Sequence, residues 1–436
     1  MRTNELMLYK HMEEGQILQD MTFLMENYQN DYYNMEDMKG LLYDAVNEIL
    51  EMAVSHGFEG DLWHNYLTYL MASHENAYST SCEIVGPVDG SINQVALHDF
   101  EIFKELFDYD FADLENVMGV DCISMLHDYV GTSGHGSVFN QRIRDRICDL
   151  SKALAETETA VEFKDIMTQF YKEFGVGKLG LHKAFRIAHT EEGALIEPIT
   201  KIAHVHLDDL VGYEIAKKKL IDNTKAFVEG KKANNCLLFG DAGTGKSSSI
   251  KAILNQYYDQ GLRMIEVYKH QFKDLNDVIA QIKNRNYKFI LYMDDLSFEE
   301  FEIEYKYLKA VIEGGLEKKP DNVLIYATSN RRNLVRERAT DKLEIADDND
   351  LHSSDTVQEK LSLVYRFGVR IYFGKPDKKQ FQEIVRTLAA RYGVTMPEEE
   401  LLLKANQWEI SHGGLTGRAA QQFIDYIVGT EEEKKK

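Results

Sequence analysis

The eight residues Gly240–Ser247, GDAGTGKS, constrain this chain more than any other segment of it. They fit the pattern GxxxxGK[ST], which works in one local setting only: a strand must deliver the chain to the first glycine, and a helix must begin at the lysine. Both flanks qualify, with CLLF before the loop and SSSIKAIL after it. Gly240, Gly243 and Gly245 let the backbone curl, so that the N–H groups along Asp241, Ala242 and Thr244 face a bound phosphate. The positive end of the helix dipole points at the same place. Lys246 is expected to reach the β- and γ-phosphates of a nucleotide. Ser247 is expected to coordinate magnesium, with Ser248 completing the cradle. A purely structural glycine loop is the weaker alternative.

Two further strand tips carry matching chemistry. FILYMDDLS ends an apolar run in Asp294 and Asp295, with Asp294 lying 48 residues after Lys246. An acid at such a tip can hold the water shell of magnesium, the role expected of Asp294. Asp295 is expected to orient or deprotonate an attacking water. VLIYATSNRRNL ends a third run in Thr328, Ser329 and Asn330. The Asn330 amide can hold a γ-phosphate or the water, with simple loop capping as the alternative. No guanine-specifying NKxD string occurs, so ATP is favoured over GTP.

Around these motifs, short apolar runs at 236–240, 263–267, 289–293, 323–327 and 369–373 alternate with amphipathic helical segments. That alternation predicts a five-stranded parallel sheet covered on both faces. From about 377 the pattern is helical to the end. The first half is also helical, and strongly acidic: residues 1–130 hold 25 Asp and Glu against Arg2, Lys10, Lys39 and Lys104. The expected organisation is an acidic, mainly helical domain over 1–200, a nucleotide-binding α/β core over 205–375 and a helical lid over 376–430. The polar segment 341–358 reads as a surface loop.

Loop, acid pair and TSN tip in this order resemble the AAA+ ATPases. The resemblance covers about residues 205 to 428. Through YKYLKAVIEGGLEKKPDNVLIYATSNRRNL and LVGYEIAKKKLIDNTKAFVEG it is similar to a bacterial AAA+ family of ATP-binding proteins without a known role. It implies that the backbone near Val211 and Gly212 brackets adenine. It also implies that Arg418 on a lid helix acts as a second sensor, and that Arg366 is an arginine finger supplied in trans, with Arg331 or Arg332 as substitutes. A finger in trans implies a homo-oligomer. Most members carry Asp-Glu where this chain has Asp-Asp, which puts the hydrolysis rate in question rather than nucleotide binding.

Several function classes are set aside. The start of the chain lacks a secretory signal, and no apolar run approaches the roughly 20 residues of a membrane helix, so a cytoplasmic location is expected. Cys82, Cys122, Cys148 and Cys236 form no CxxC pair, and the histidines show no zinc spacing. The GxGxxG match at Gly175, Gly177 and Gly180 follows a helix rather than a strand and is dismissed as a dinucleotide site. The acidic leader repels phosphate backbones, so a protein client is favoured over nucleic acid. The alternatives kept are a module that binds ATP with little turnover, and a nucleic-acid-associated loader suggested by Arg331, Arg332, Arg336 and Arg338. A small-molecule kinase suits the TSN tip and lid arginine less well.

Overall fold

Continuous apolar runs flanked by amphipathic helices produce the buried parallel sheet that such runs demand. The computed structural model describes residues 2–131, 141–190, 193–200, 202–203, 205–298, 304–313, 320–330, 334 and 363–434. Arg331, Arg332, Arg336, Arg338 and the segment 341–358 lie outside these residues. The chain divides into two compact units, Met1–His182 with Pro198–Ile202, and Lys183–Glu197 with Ala203–Lys436.

The second unit is built on a sheet of seven strands rather than the five expected. They are β1 (Ala184–Thr190), β2 (Gly193–Pro198), β3 (Cys236–Gly240), β4 (Leu262–Glu266), β5 (Lys288–Met293), β6 (Val323–Ser329) and β7 (Val369–Phe373). Their order is β2-β1-β4-β5-β6-β3-β7. From β1 to β7 each neighbouring pair is parallel. The two additional strands fall inside the residues assigned from sequence to the helical first domain. They gave no continuous apolar signal because both are only partly covered, β2 at the sheet's edge and β1 beside it. By contrast every residue of β6, and all of β5 but Lys288, is buried.

Three helices close the unit: Lys378–Arg391, Glu398–Ser411 and Gly417–Lys434. They share their own core, centred on Phe381, Val385, Ala405, Phe423 and Ile424. Asp377 starts the first of them with a capping box, accepting from the Gln380 amide at 2.8 Å while the Gln380 side chain accepts from the Asp377 amide.

The first unit is helical, with long elements at Met35–His56, Ile92–Phe107, Gln141–Ala155 and Ala160–Phe174. Asn34 caps the first of these through the Glu36 amide, and Gly57 ends it at φ 72°. Trp63, Tyr66, Phe100, Phe103 and Phe163 fill its interior. The glycines dismissed above serve packing: Gly175 ends a helix, and a Cβ on Gly180 would collide with the Gly175 backbone.

A few of this unit's carboxylates point inward, where they organise loops. Asp99 is fully buried and accepts from the amides of Met7, Leu8 and Tyr9 at 2.7 to 3.1 Å. Glu115 accepts from Ile123 and Ser124, both at 2.9 Å, and Glu83 from Val176 at 3.1 Å. Removing Asp99 would leave the buried Tyr9 amide and its two neighbours without an acceptor. Asp99→Ala should therefore lose about 3 kcal/mol of stability. Urea unfolding of the two proteins checks this, and a midpoint unchanged at equal slope would contradict it.

Candidate functional site

The site grows from the end of β3. Gly240 pairs with Phe373 of β7 and has φ 137°; a Cβ there would collide with the Phe373 carbonyl, so only glycine allows this approach. Asp241 then donates its amide to the Phe373 carbonyl at 3.0 Å, and its carboxylate accepts from the Lys375 amide at 3.1 Å. These contacts fasten the first turn of the loop to β7. Thr244 closes the turn, its hydroxyl donating to the Asp241 carbonyl at 2.8 Å. Gly245, at φ 93°, is the N-cap of the helix Lys246–Tyr257.

Lys246 is 6% exposed and turns back into the loop. Its ammonium donates to the carbonyls of Gly240 (3.1 Å) and Asp241 (2.6 Å) and to Asn330 Oδ1 (2.9 Å). Burial pushes its pKa below the ordinary lysine value, while Asp295, Asp241 and Asp294 act in the other direction. The Asn330 Nδ2 group donates to Asp295 Oδ1 at 2.7 Å, so one amide ties the lysine to the second acid.

The first acid is tied just as closely. Asp294 Oδ1 accepts from Ser247 Oγ at 2.7 Å and from Thr328 Oγ1 at 2.5 Å. Thr328 Oγ1 in turn accepts the Asp295 amide at 2.9 Å, and its carbonyl accepts the Leu296 amide at 2.7 Å. This double clamp holds Asp295 at φ 50°, a left-handed conformation uncommon outside glycine. Burial works to raise the Asp294 pKa, yet the hydrogen bonds from Thr328 and Ser247 hold it below the ordinary carboxylate value. Ser247 and Asp294 thus form a pair of hard oxygen donors. Such a pair fits magnesium, which keeps several waters and takes phosphate oxygens for the rest.

Above these residues lies a cleft of about 830 Å³, lined by Ala242 to Ser248, Asp294, Asp295, Thr328 and Asn330 on the sheet side. Its opposite wall is partly apolar, formed by Val211, Ile384 and Leu388, and is completed by Arg418. Val211 also packs on the core of the C-terminal helices. Gly212, at φ 81°, makes the turn behind it instead of lining the cleft. Gly240 and Asp241 lie below the cleft as its support. Arg418 is exposed, and its amide donates to the Gly243 carbonyl at 3.2 Å. Arg366, half-buried ahead of β7, does not line this cleft.

Four contributors escaped the sequence reading. Thr328 reads in the sequence only as part of a strand end, yet it joins both acids. Tyr292 precedes the acid pair and looked like one more apolar strand residue. Tyr213 bonds the Gly374 carbonyl at 2.9 Å. Arg391 donates to the carbonyls of Asp208 and Asp209, and nothing in the local sequence marks it. Because its folded pKa is depressed, Asp294 contributes stability that is present above the ordinary carboxylate value and lost as pH falls through the folded one. Thr328→Val removes one hydrogen bond that holds the value down, so the variant should lose less stability on acidification than wild type. Paired unfolding curves between neutral and acid pH would show this, and parallel pH profiles would contradict it.

Comparisons with known proteins give the following. No curated protein sequence matches the chain. Among solved structures, variants of Thermotoga maritima RuvB align over 53% of this chain and 66% of theirs, at 16% identity and a TM-score of 0.37. The chain thus matches just under two thirds of the length of those RuvB chains. The FIGL-1 AAA domain, solved in complex with ADP, aligns over 53% of this chain and 76% of that one, at 15% identity and a TM-score of 0.36. Residues 180–431, more than half of the chain, match the family described as "Protein of unknown function (DUF815)", and the chain belongs to that family.

Proposed function

We propose that this chain is a magnesium-dependent ATPase of the AAA+ type that uses hydrolysis to switch or remodel a protein client. One observation carries the reading. Lys246, Ser247, Asp294, Asp295 and Asn330, drawn from three strand tips, are joined through Thr328 into one connected set of hydrogen bonds on the floor of one cleft. In such a set Lys246 neutralises phosphate oxygens, and the amides of the loop hold them in place. Ser247 and Asp294 would hold magnesium, which when bound withdraws charge from the phosphate. Asp295, positioned by Asn330, accepts a proton from the water that attacks the γ-phosphorus. The apolar wall with Val211 suits an adenine base. Arg418 reaches the phosphates from the C-terminal helices, which act as a lid over residues 376–430.

A second reading, an ATP-binding switch with little turnover, draws on a specific feature. The Asp295 carboxylate is shorter than glutamate and already accepts from Asn330, which limits its reach toward a water. Lys246→Ala should abolish ATP binding, measured by calorimetry. Asp295→Asn should bind ATP and magnesium with little change but stop phosphate release. Wild-type turnover in Asp295→Asn would remove the general-base role. Wild-type ATP binding without turnover would favour the second reading.

Arg366 completes the proposal as a finger delivered to a neighbouring subunit of a homo-oligomer. A guanidinium there stabilises charge that develops in the transition state, so Arg366→Ala should cut turnover by about 10³ or more with little change in ATP affinity. Mixing Arg366→Ala with Asp295→Asn should restore part of the activity, since each variant supplies what the other lacks. Steady-state ATPase at the simple sum of the two variants, with subunit exchange established, would reject a finger in trans.

A further inference from the structure

Tyr292 is out of place as a mere filler of the sheet. It sits on β5 two residues before Asp294, so the two side chains share one face of the strand. It is 2% exposed, and its hydroxyl makes no hydrogen bond of acceptable geometry. The polar groups facing that hydroxyl belong to Asp294, Ser247 and Thr328, the residues around the candidate cation position. A phenylalanine would fill the same volume without burying an unpartnered hydroxyl, which costs stability. The polar end of Tyr292 is therefore aimed into the cluster that the cation would complete.

We propose that Tyr292 is a positioning residue for the divalent cation, its hydroxyl donating to the Asp294 carboxylate when Ser247 and Asp294 hold the metal. This rests on the reading of the site as a magnesium–nucleotide site. Asp294 has the capacity for it. Oδ1 takes hydrogens from Ser247 and Thr328, and a carboxylate offers about four acceptor positions in all. A third donor fixes the carboxylate against rotation, so that its free oxygen meets metal-bound water in one orientation. Partners that orient a metal's ligands without touching the metal typically change its affinity by about ten- to a hundredfold. Tyr292 does this from a strand whose backbone is held on both sides by β4 and β6.

The test uses the full-length chain and Tyr292→Phe, which keeps the ring and removes only the oxygen. Binding of Mn²⁺ to the ADP-loaded protein is followed through the paramagnetic resonance of free Mn²⁺. ADP affinity is measured separately in EDTA. The variant is expected to bind Mn²⁺ about ten- to a hundredfold more weakly. Its ADP affinity in EDTA and its thermal midpoint without ligands should match or exceed those of wild type. Equal Mn²⁺ affinity in the two proteins would overturn the proposal while leaving the site reading intact. An equal loss of ADP affinity in EDTA would overturn it in favour of a purely structural role. A wild-type chain that holds no Mn²⁺ in the presence of ADP would overturn the site reading, and the proposal with it.

Discussion

The parallel register of β3, β6 and β5 is the constraint on which the candidate site depends. Met293 lies opposite Ala327 on β5 and β6, so the next residues, Asp294 and Thr328, arrive side by side. Phe239 lies opposite Ser329 on β3 and β6, which brings Gly240 level with Asn330. The hydrogen bonds from Thr328 to Asp294 and from Lys246 to Asn330 follow from those pairings. A shift of one residue in either pairing would send these side chains to the opposite face of the sheet.

The middle strand has a second consequence. β6 lies between the strand that feeds the loop and the strand that carries the acids. Lys246 and Asp295 therefore meet through Asn330 rather than directly. The Thr328 clamp holds Asp295 in its left-handed conformation, so the second acid is aimed by the backbone as well as by its side chain. Pre-orientation of this kind is what electrostatic catalysis requires, since groups already in place need no reorganisation during the reaction.

The first unit follows a different physical rule. Its acidic composition is explained only in part by a solvated surface. Asp99, Glu115 and Glu83 are turned inward and satisfied by backbone amides, which lie 90 to 93 residues away in the chain for Asp99 and Glu83 and eight and nine residues away for Glu115. A buried carboxylate bonded this way holds a loop in one conformation, whereas an unpaired one would destabilise the unit. Net charge taken from composition does not separate these inner carboxylates from the outer ones, because that depends on which amides the fold leaves without a partner.

Local chemistry made much of this protein legible. GDAGTGKS announced its own strand, turn and helix, because glycine conformations and a helix start are dictated within eight residues. β4, β5 and β6 were legible because a strand buried on both faces needs a continuous apolar run. β1 and β2 were not, since partial cover leaves only a broken pattern. Asp294, Asp295 and Asn330 could be picked out as strand tips, but their partners could not. Thr328 joins both acids only because β5 and β6 pair in one register. Arg391 meets Asp208 and Asp209 across more than 180 residues of chain. Tyr292 faces Asp294 only once the strand's alternation is set against its neighbours. The sequence by itself marked Lys246, Ser247, Asp294, Asp295 and Asn330 as the candidates. The tertiary structure decided which of them touch, because contact between distant strand tips depends on register and packing that no local segment encodes.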